Sequence, residues 1–203
     1  MAKRGRLIVV SGFSGAGKST VVVQLCKTYG YTLSISATTR APRVGEQDGR
    51  EYFFVTQEEF DKRIAEGGFL EYARFVGHSY GTPRDFVEQK LNEGRDVILE
   101  IDQQGAFQVK EKMPEALLVF VLPPSMKELK ERLVNRKTDS PEVINERLLR
   151  AKEELPGARL YDKLLINRTV DTSVYLLDRI IQEGLGQGPA DNHWLDDLEK
   201  EEF

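Results

Sequence analysis

An α/β protein, with a parallel sheet core flanked by helices and one inserted patch of antiparallel strands, is what this sequence predicts, on three observations. Short β-rich apolar runs recur at residues 7–10, 96–101, 117–122 and 163–166, and helical patterns separate them, the rhythm of parallel strands joined by crossover helices. A glycine-rich segment, SGFSGAGKST, joins the first run to the first helix. Between about residues 38 and 82 the period changes to short alternating stretches, REYFFV, FLEYARF and HSYGT, broken by RVGEQDG, which reads as an antiparallel insert.

The glycine-rich segment carries the most chemistry. Its spacing, GxxxxGK[ST], runs from Gly12 to Lys18 and Ser19 between a strand and a helix, the context in which this pattern holds a polyphosphate. Backbone N–H groups turn inward onto an anion only where side chains leave room, and Gly12, Gly15 and Gly17 supply that room. Phe13, Ser14, Ala16 and Thr20 complete the stretch that would wrap a polyphosphate. Lys18 is placed to reach the β- and γ-phosphates, Ser19 offers a hydroxyl to Mg²⁺, and the helix points its positive end at the anion. A plain Gly/Ser turn is the alternative; the full spacing with both flanks correct argues against it. The core is therefore expected to be a P-loop NTPase fold.

Helix starts are marked farther along. Thr56 with Glu59 and Ser125 with Glu128 have the capping-box spacing, and Thr82-Pro83 and Ser140-Pro141 put proline at a first helical position. Residues 135–150 are strongly charged with a short turn at KTDSP, the pattern of a helical flap. After Ile181 a glycine-containing hinge leads to an acidic tail whose Trp194, Leu195 and Leu198 either dock as a short helix or fray.

Composition narrows the class. The chain has 203 residues and a net charge of -4, with 33 acidic residues outnumbering 29 basic ones, which argues against a general nucleic-acid surface. No apolar stretch approaches the roughly 20 residues that span a bilayer, and the N-terminal run enters a strand directly, so neither membrane insertion nor export is expected. The single cysteine, Cys26, excludes an internal disulfide and sits on the apolar side of a helix, consistent with a reducing cytoplasm.

A second site is legible around the insert. In SATTRAPR, Arg40 and Arg43 can present paired donors to a phosphate, and the phenols of Tyr52 and Tyr80 can add to it, with a solvated loop and core tyrosines as the alternatives. Glu71 in FLEYARF shares a strand face with Phe69 and Ala73, where a carboxylate is costly without a partner. Guanine offers that partner through two adjacent donors, N1–H and the exocyclic amine; adenine lacks the pattern. A hydroxyl of Ser36 or Thr82 can help fix the ring.

Taken together, SGFSGAGKS, SATTRAPRVGEQDGREYFFV, FLEYARFVGHSYGT, LEIDQQGA, FVLPPS, the stretch from LKERLVNR to INERL, and LLIN, all in order over about residues 5–181, resemble the bacterial-type guanylate kinases. The resemblance implies an enzyme of purine metabolism that converts ATP and GMP, with dGMP as a second acceptor, to ADP and GDP. It implies a core at about 5–36, 83–134 and 156–184, a GMP-binding insert at about 37–82, a lid at about 135–155 and a tail at 185–203, closing around both substrates before transfer. By position, Arg40, Arg43, Tyr52 and Tyr80 would hold the GMP phosphate, and Ser36, Glu71, Thr82 and Asp102 would read guanine. Residues 12–20 would hold ATP with Asn167 near adenine, and Lys18, Arg132, Arg136 and Arg147 would act on the transferring group. The family often has LDID where this chain has LEID, so Glu100 replaces an aspartate of the Mg²⁺ shell with one methylene more reach. Phe13 stands where proline is common.

Two other classes fit parts of the pattern. Guanylate-kinase-like scaffold domains bind partners without transferring phosphate, but typically have a damaged P-loop, whereas Lys18 and Ser19 are intact here. Another nucleoside monophosphate kinase would read a different base, which Glu71 argues against, and a regulatory GTPase would show an [NT]KxD motif, which does not follow the loop. Partners are expected to be these small substrates alone, with a homo-oligomer allowed.

Overall fold

The first strand, β1 (Leu7–Gly12), is buried from Leu7 through Ser11, the burial expected of a strand covered on both faces. It belongs to a computed structural model that describes residues 3–137, 139–184 and 193–201, so residue 138 of the expected lid and residues 185–192 of the expected tail lie outside the described residues. The chain divides into two compact units, one of Met1–Ile8 and Tyr31–Ala116, the other of Val9–Gly30 and Leu117–Phe203.

In the first unit the core sheet runs β2 (Thr32–Leu33), β7 (Val97–Glu100), then the start of β1. β2 and β7 pair in parallel, Thr32 opposite Val97 and Leu33 opposite Ile98. Two residues are too few to show a period, which is why β2 escapes a sequence reading. A second sheet has the order β4 (Phe53–Phe54), β3 (Ala37–Thr38), β6 (His78–Pro83), β5 (Phe69–Phe75). Its β3–β6 and β5–β6 pairs are antiparallel as expected, but β3 and β4 are parallel, with Ala37 opposite Phe53. The reason lies in their connection: residues 39–52 form a long loop that crosses over instead of turning back as a hairpin.

Side chains lock this insert. Phe60 of α2 (Gln57–Ala65) stacks on Phe69 with ring centroids 4.4 Å apart, and Ala37, Phe53, Val55 and Ile64 close around them. Strand β5 is the sheet edge, and α4 (Gln103–Lys112) covers it: the Gln108 amide accepts from and donates to the Tyr72 backbone, both at 3.2 Å, while Lys112 donates to the Phe69 carbonyl. Between β5 and β6 the two-residue turn places Val76 and Gly77 at φ 49° and 77°, left-handed for both, a conformation that a β-branched residue adopts under strain.

In the second unit the strands run β1, β8 (Leu117–Leu122), β9 (Lys163–Ile166), with β8 and β9 parallel in register from Val119–Lys163 to Leu122–Ile166. Helix α1 (Lys18–Tyr29) packs on α7 (Val170–Glu183), and Cys26 on α1 is half-buried and in no disulfide. Helices α5 (Met126–Asn135) and α6 (Pro141–Glu154) pack together across the charged stretch, and a 3-10 turn (Leu155–Leu160) follows. The tail docks: α8 (His193–Lys200) buries Leu195 and Leu198 at 0% and 1% exposure, so fraying is not the outcome for this part. Among the described residues no helix is long and apolar enough to cross a membrane.

Most helix starts follow their signals. Thr56 and Glu59 complete the reciprocal capping box, Ser125 accepts from the Glu128 N–H, and Ser140 caps α6 with Pro141 as its first residue. The exception is Thr82-Pro83. Pro83 ends β6 in an extended conformation (ψ 124°) and stands one residue before α3 (Arg84–Asn92), as its N-cap and not its first residue. Its pairing opposite Phe69 holds it in the strand, which overrides the local preference.

Candidate active site

The glycine loop of the second unit is built by exclusion. Gly12, Gly15 and Gly17 have φ of 152°, 97° and 86°. A Cβ at Gly12 would stand 2.4 Å from the Val121 carbonyl oxygen, and one at Gly17 would stand 2.5 Å from the Asn167 side-chain nitrogen, so both need glycine on space as well as on conformation. Phe13 turns the other way and is 1% exposed, its ring edge-on to Phe120 at 5.2 Å. That anchor leaves the backbone to line the cavity, and the Ala16 N–H donates to the Phe13 carbonyl at 3.0 Å to close the turn. No side chain caps α1 at Gly17, which leaves its first N–H groups directed at the loop, where an anion would sit.

Two side chains fasten the loop from behind. The buried Asn167 amide donates to the Ala16 carbonyl at 2.7 Å and accepts from the Ser173 hydroxyl at 2.8 Å. Arg132 of α5 donates to the same carbonyl at 3.1 Å and to the Asn167 carbonyl at 2.7 Å, and pairs with Glu128. Ser173 carries no spacing signal of its own, so sequence reasoning passes over it, and Glu128 is read there only as a helix cap. Arg147 of α6 donates to the Ser14 hydroxyl and lies 3.3 Å from the Asp139 carboxylate. Arg136, exposed at the end of α5, lines a cleft of about 470 Å³ with Gly15, Gly17, Thr20, Arg132, Asn167 and Arg168. The second unit thus gathers the loop, Asn167, Arg132 and Arg136 around one cleft, while Arg147 reaches the loop through Ser14. Ser19 is exposed in the first turn of α1, next to Lys18.

The first unit gathers the other set. The Arg40 guanidinium, its side chain 13% exposed, donates to both Glu46 carboxylate oxygens at 2.9 and 3.0 Å and to the Ala41 carbonyl at 2.7 Å. It lies over the Tyr52 ring at 5.5 Å, and Tyr52 meets Tyr80 edge-on at 6.0 Å. Glu46 also accepts from the Arg43 backbone N–H at 2.7 Å, and this bond, with the Arg40 charge, holds its carboxyl below the usual range; Arg40 in turn is raised by Glu46. The Arg43 side chain is exposed. The sequence reading did not single out Glu46, which ties both arginines here; its only signal is a carboxylate in the RVGEQDG loop six and three residues after Arg40 and Arg43.

Glu71 sits behind this cluster. A bulge between Phe69 and Glu71 shifts the β5 register, so Phe69, Leu70 and Glu71 are all buried in succession, which departs from the strict alternation expected of FLEYARF. Its carboxylate accepts from the Thr82 hydroxyl at 2.5 Å. Burial pushes the Glu71 carboxyl up, the Asp102 charge adds to this, and the Thr82 hydrogen bond opposes it. A Cβ on Gly105 would come within 3.1 Å of Glu71 Oε2, so glycine there keeps room beside the carboxylate. Asp102 caps α4, its carboxylate accepting from the Gly105 N–H at 2.8 Å. Ser36 is half-buried and its carbonyl accepts from the Phe53 N–H, and Glu100 is half-buried at the end of β7.

A family model described as Guanylate kinase matches residues 4–184. The chain belongs to the guanylate kinase family. Guanylate kinases of Streptococcus agalactiae and Thermus thermophilus are 50% and 52% identical to it, covering 90% and 84% of this chain and 88% and 78% of their own length. The crystal structure of a guanylate kinase from Anaplasma phagocytophilum aligns with a TM-score of 0.69 at 31% identity, over 92% of this chain and 89% of that one. The α/β core with its parallel sheet and glycine loop is thus the fold of this family.

Proposed function

We propose a division of labour for ATP-dependent phosphorylation of GMP to GDP in which the second unit holds ATP and the first unit holds GMP. The backbone of residues 12–17 and the start of α1 cradle the ATP phosphates, with Lys18 countering their charge and Asn167 at the base of the adenine cleft. Arg40, Arg43, Tyr52 and Tyr80 hold the GMP phosphate. Glu71 accepts the two adjacent guanine donors while Thr82 fixes the carboxylate, and Ser36 and Asp102 border the ring.

Phosphoryl transfer asks little covalent help of a protein and much positioning, because negative charge spreads over the equatorial oxygens in the transition state. Lys18, Arg136 and Arg147 supply positive charge there, and Arg132 braces the loop while facing the same cleft. Residues 135–155 act as the lid and 37–82 as the acceptor-binding insert. Mg²⁺ fits the Ser19 hydroxyl together with phosphate oxygens and water, its usual coordination; among the described residues no group of three or more His, Cys, Asp or Glu stands ready to hold a metal alone. When bound, Mg²⁺ neutralises phosphate charge. Glu100 is assigned a water-mediated contact to that ion.

The observation that carries the acceptor assignment is the buried Glu71 carboxylate, 6% exposed with a hydroxyl donor on one side and glycine-made space on the other. A carboxylate is not left in such a place without donors to receive. The test is ADP formation from ATP and Mg²⁺ with GMP, dGMP, AMP, UMP and TMP offered in turn. Turnover with GMP, and more weakly with dGMP, is expected; turnover with AMP or a pyrimidine at comparable kcat/KM would overturn the assignment of Glu71.

A further inference from the structure

Helix α8 lies beyond the region matched by the family model, which ends at residue 184, whereas α8 begins at His193. Polar ties nevertheless fix it to three elements of the second unit. Arg159, in the 3-10 turn after α6, donates to Asp196 at 2.7 Å and to Glu199 at 3.0 Å. The Glu201 carboxylate accepts from the Met126 N–H at 2.8 Å, at the start of the helix that carries Arg132 to the Ala16 carbonyl. The Arg168 guanidinium lies 5.0 Å from the Trp194 ring centroid. Arg168 follows Asn167 directly and lines the same cleft as Gly15, Gly17 and Thr20.

We propose that α8 is a positioning element of the nucleotide site: Trp194 holds the Arg168 guanidinium at the cleft, where its other face receives the adenine base of ATP. The argument is one of flexibility. An exposed arginine loses much side-chain freedom when a ligand orders it, and a guanidinium already laid on an aromatic face has lost that freedom before the ligand arrives. A planar cation has two faces, so contact with the indole leaves one for a purine. Leu195 and Leu198 bury the helix that presents Trp194, and the Arg159 and Met126 ties set its angle.

This inference rests on the cleft being the ATP site, and the test separates the two. KM for ATP, KM for GMP and kcat are measured for Trp194→Ala, Trp194→Phe, Arg168→Ala, Asn167→Ala and the Trp194→Ala/Arg168→Ala pair. Trp194→Ala is expected to raise KM for ATP about three- to tenfold, with KM for GMP and kcat unchanged, and Trp194→Phe to recover most of the loss. The double variant is expected to match Arg168→Ala alone, because the tryptophan acts through the arginine. Equal rises in both KM values, or effects that multiply in the double variant, overturn the proposal. If Asn167→Ala raises KM for ATP while Arg168→Ala and Trp194→Ala do not, the inference fails alone; if none of them does, the ATP assignment of the cleft fails with it. The chain has one tryptophan, so the intrinsic fluorescence of the unaltered protein gives a second readout. Titration with ATP and Mg²⁺ should change the emission of Trp194 and GMP alone should leave it; no response to saturating ATP overturns the proposal.

Discussion

The two nucleotide regions are made of different material. The 12–19 loop, proposed to hold ATP, is a backbone device, shaped by glycines at φ 97° and 86° and a buried Phe13. The region we propose for the acceptor is a side-chain device, in which Arg40, Tyr52 and Tyr80 cluster and Glu71 is buried against Thr82. A backbone cradle reads charge and shape, which any nucleoside triphosphate shares. A buried carboxylate reads a donor pattern, which among common bases guanine matches. The difference teaches where selectivity sits: the donor site needs little of it, and the acceptor site needs a great deal.

The largest expected effect comes from charge at the transferring group. Arg147→Ala should lower kcat by about 10³- to 10⁵-fold while shifting KM for GMP only slightly, since such an arginine acts on the transition state. Steady-state kinetics check this, and a raised KM at normal kcat would remove Arg147 from that role. Next, Glu71→Gln sets an amide donor against the guanine donors and should cut kcat/KM for GMP by about 10³- to 10⁴-fold with KM for ATP unchanged. A variant that phosphorylates GMP normally would dissolve the contrast between the two regions.

Smaller is the pH effect of the raised Glu71 carboxyl. GMP needs the ionised form, so KM for GMP should climb as pH falls through the raised value, while KM for ATP stays flat over the same interval. Stability runs the other way. The folded state holds this proton more tightly than the unfolded chain, so the contribution of Glu71 is most favourable below its unfolded value and is lost as pH rises through the folded one. Glu71→Gln should therefore raise Tm at pH 8, and the gain should vanish on acidification. Thermal melts at both pH values decide it. Smallest is Glu46→Gln, which loosens the Arg40 guanidinium and the Arg43 backbone and should raise KM for GMP about three- to tenfold at constant kcat. An unchanged KM for GMP would make the pair a passive loop tie.

How much of this was legible in the sequence follows from the same contrast. The loop was readable residue by residue, because steric exclusion at Gly12 and Gly17 leaves one amino acid and a fixed spacing. The core strands β1, β8 and β9 were readable because buried strands in parallel sheets appear as apolar runs. Glu71 was readable as an anomaly, a charge on an apolar strand, although the bulge that buries it was not, since register shifts leave no trace in alternation. Glu46 was hidden among the charges of an exposed-looking loop, and its role appears only when residues 40–46 fold back on themselves. The parallel β3–β4 pair and the extended Pro83 were set by partners distant in sequence, where local preference loses to pairing.

One measurement bears most directly on the division between the two regions: calorimetric titration of GMP, and separately of a non-hydrolysable ATP analogue with Mg²⁺, into Gly17→Ala and Glu71→Gln. The account predicts a crossed result. Gly17→Ala, whose Cβ collides with the Asn167 amide, should lose at least about tenfold in affinity for the ATP analogue and keep its Kd for GMP. Glu71→Gln should lose GMP and keep the analogue. Loss of both ligands in either variant, with folding intact, or weakened analogue binding in Glu71→Gln with GMP unaffected, would contradict it.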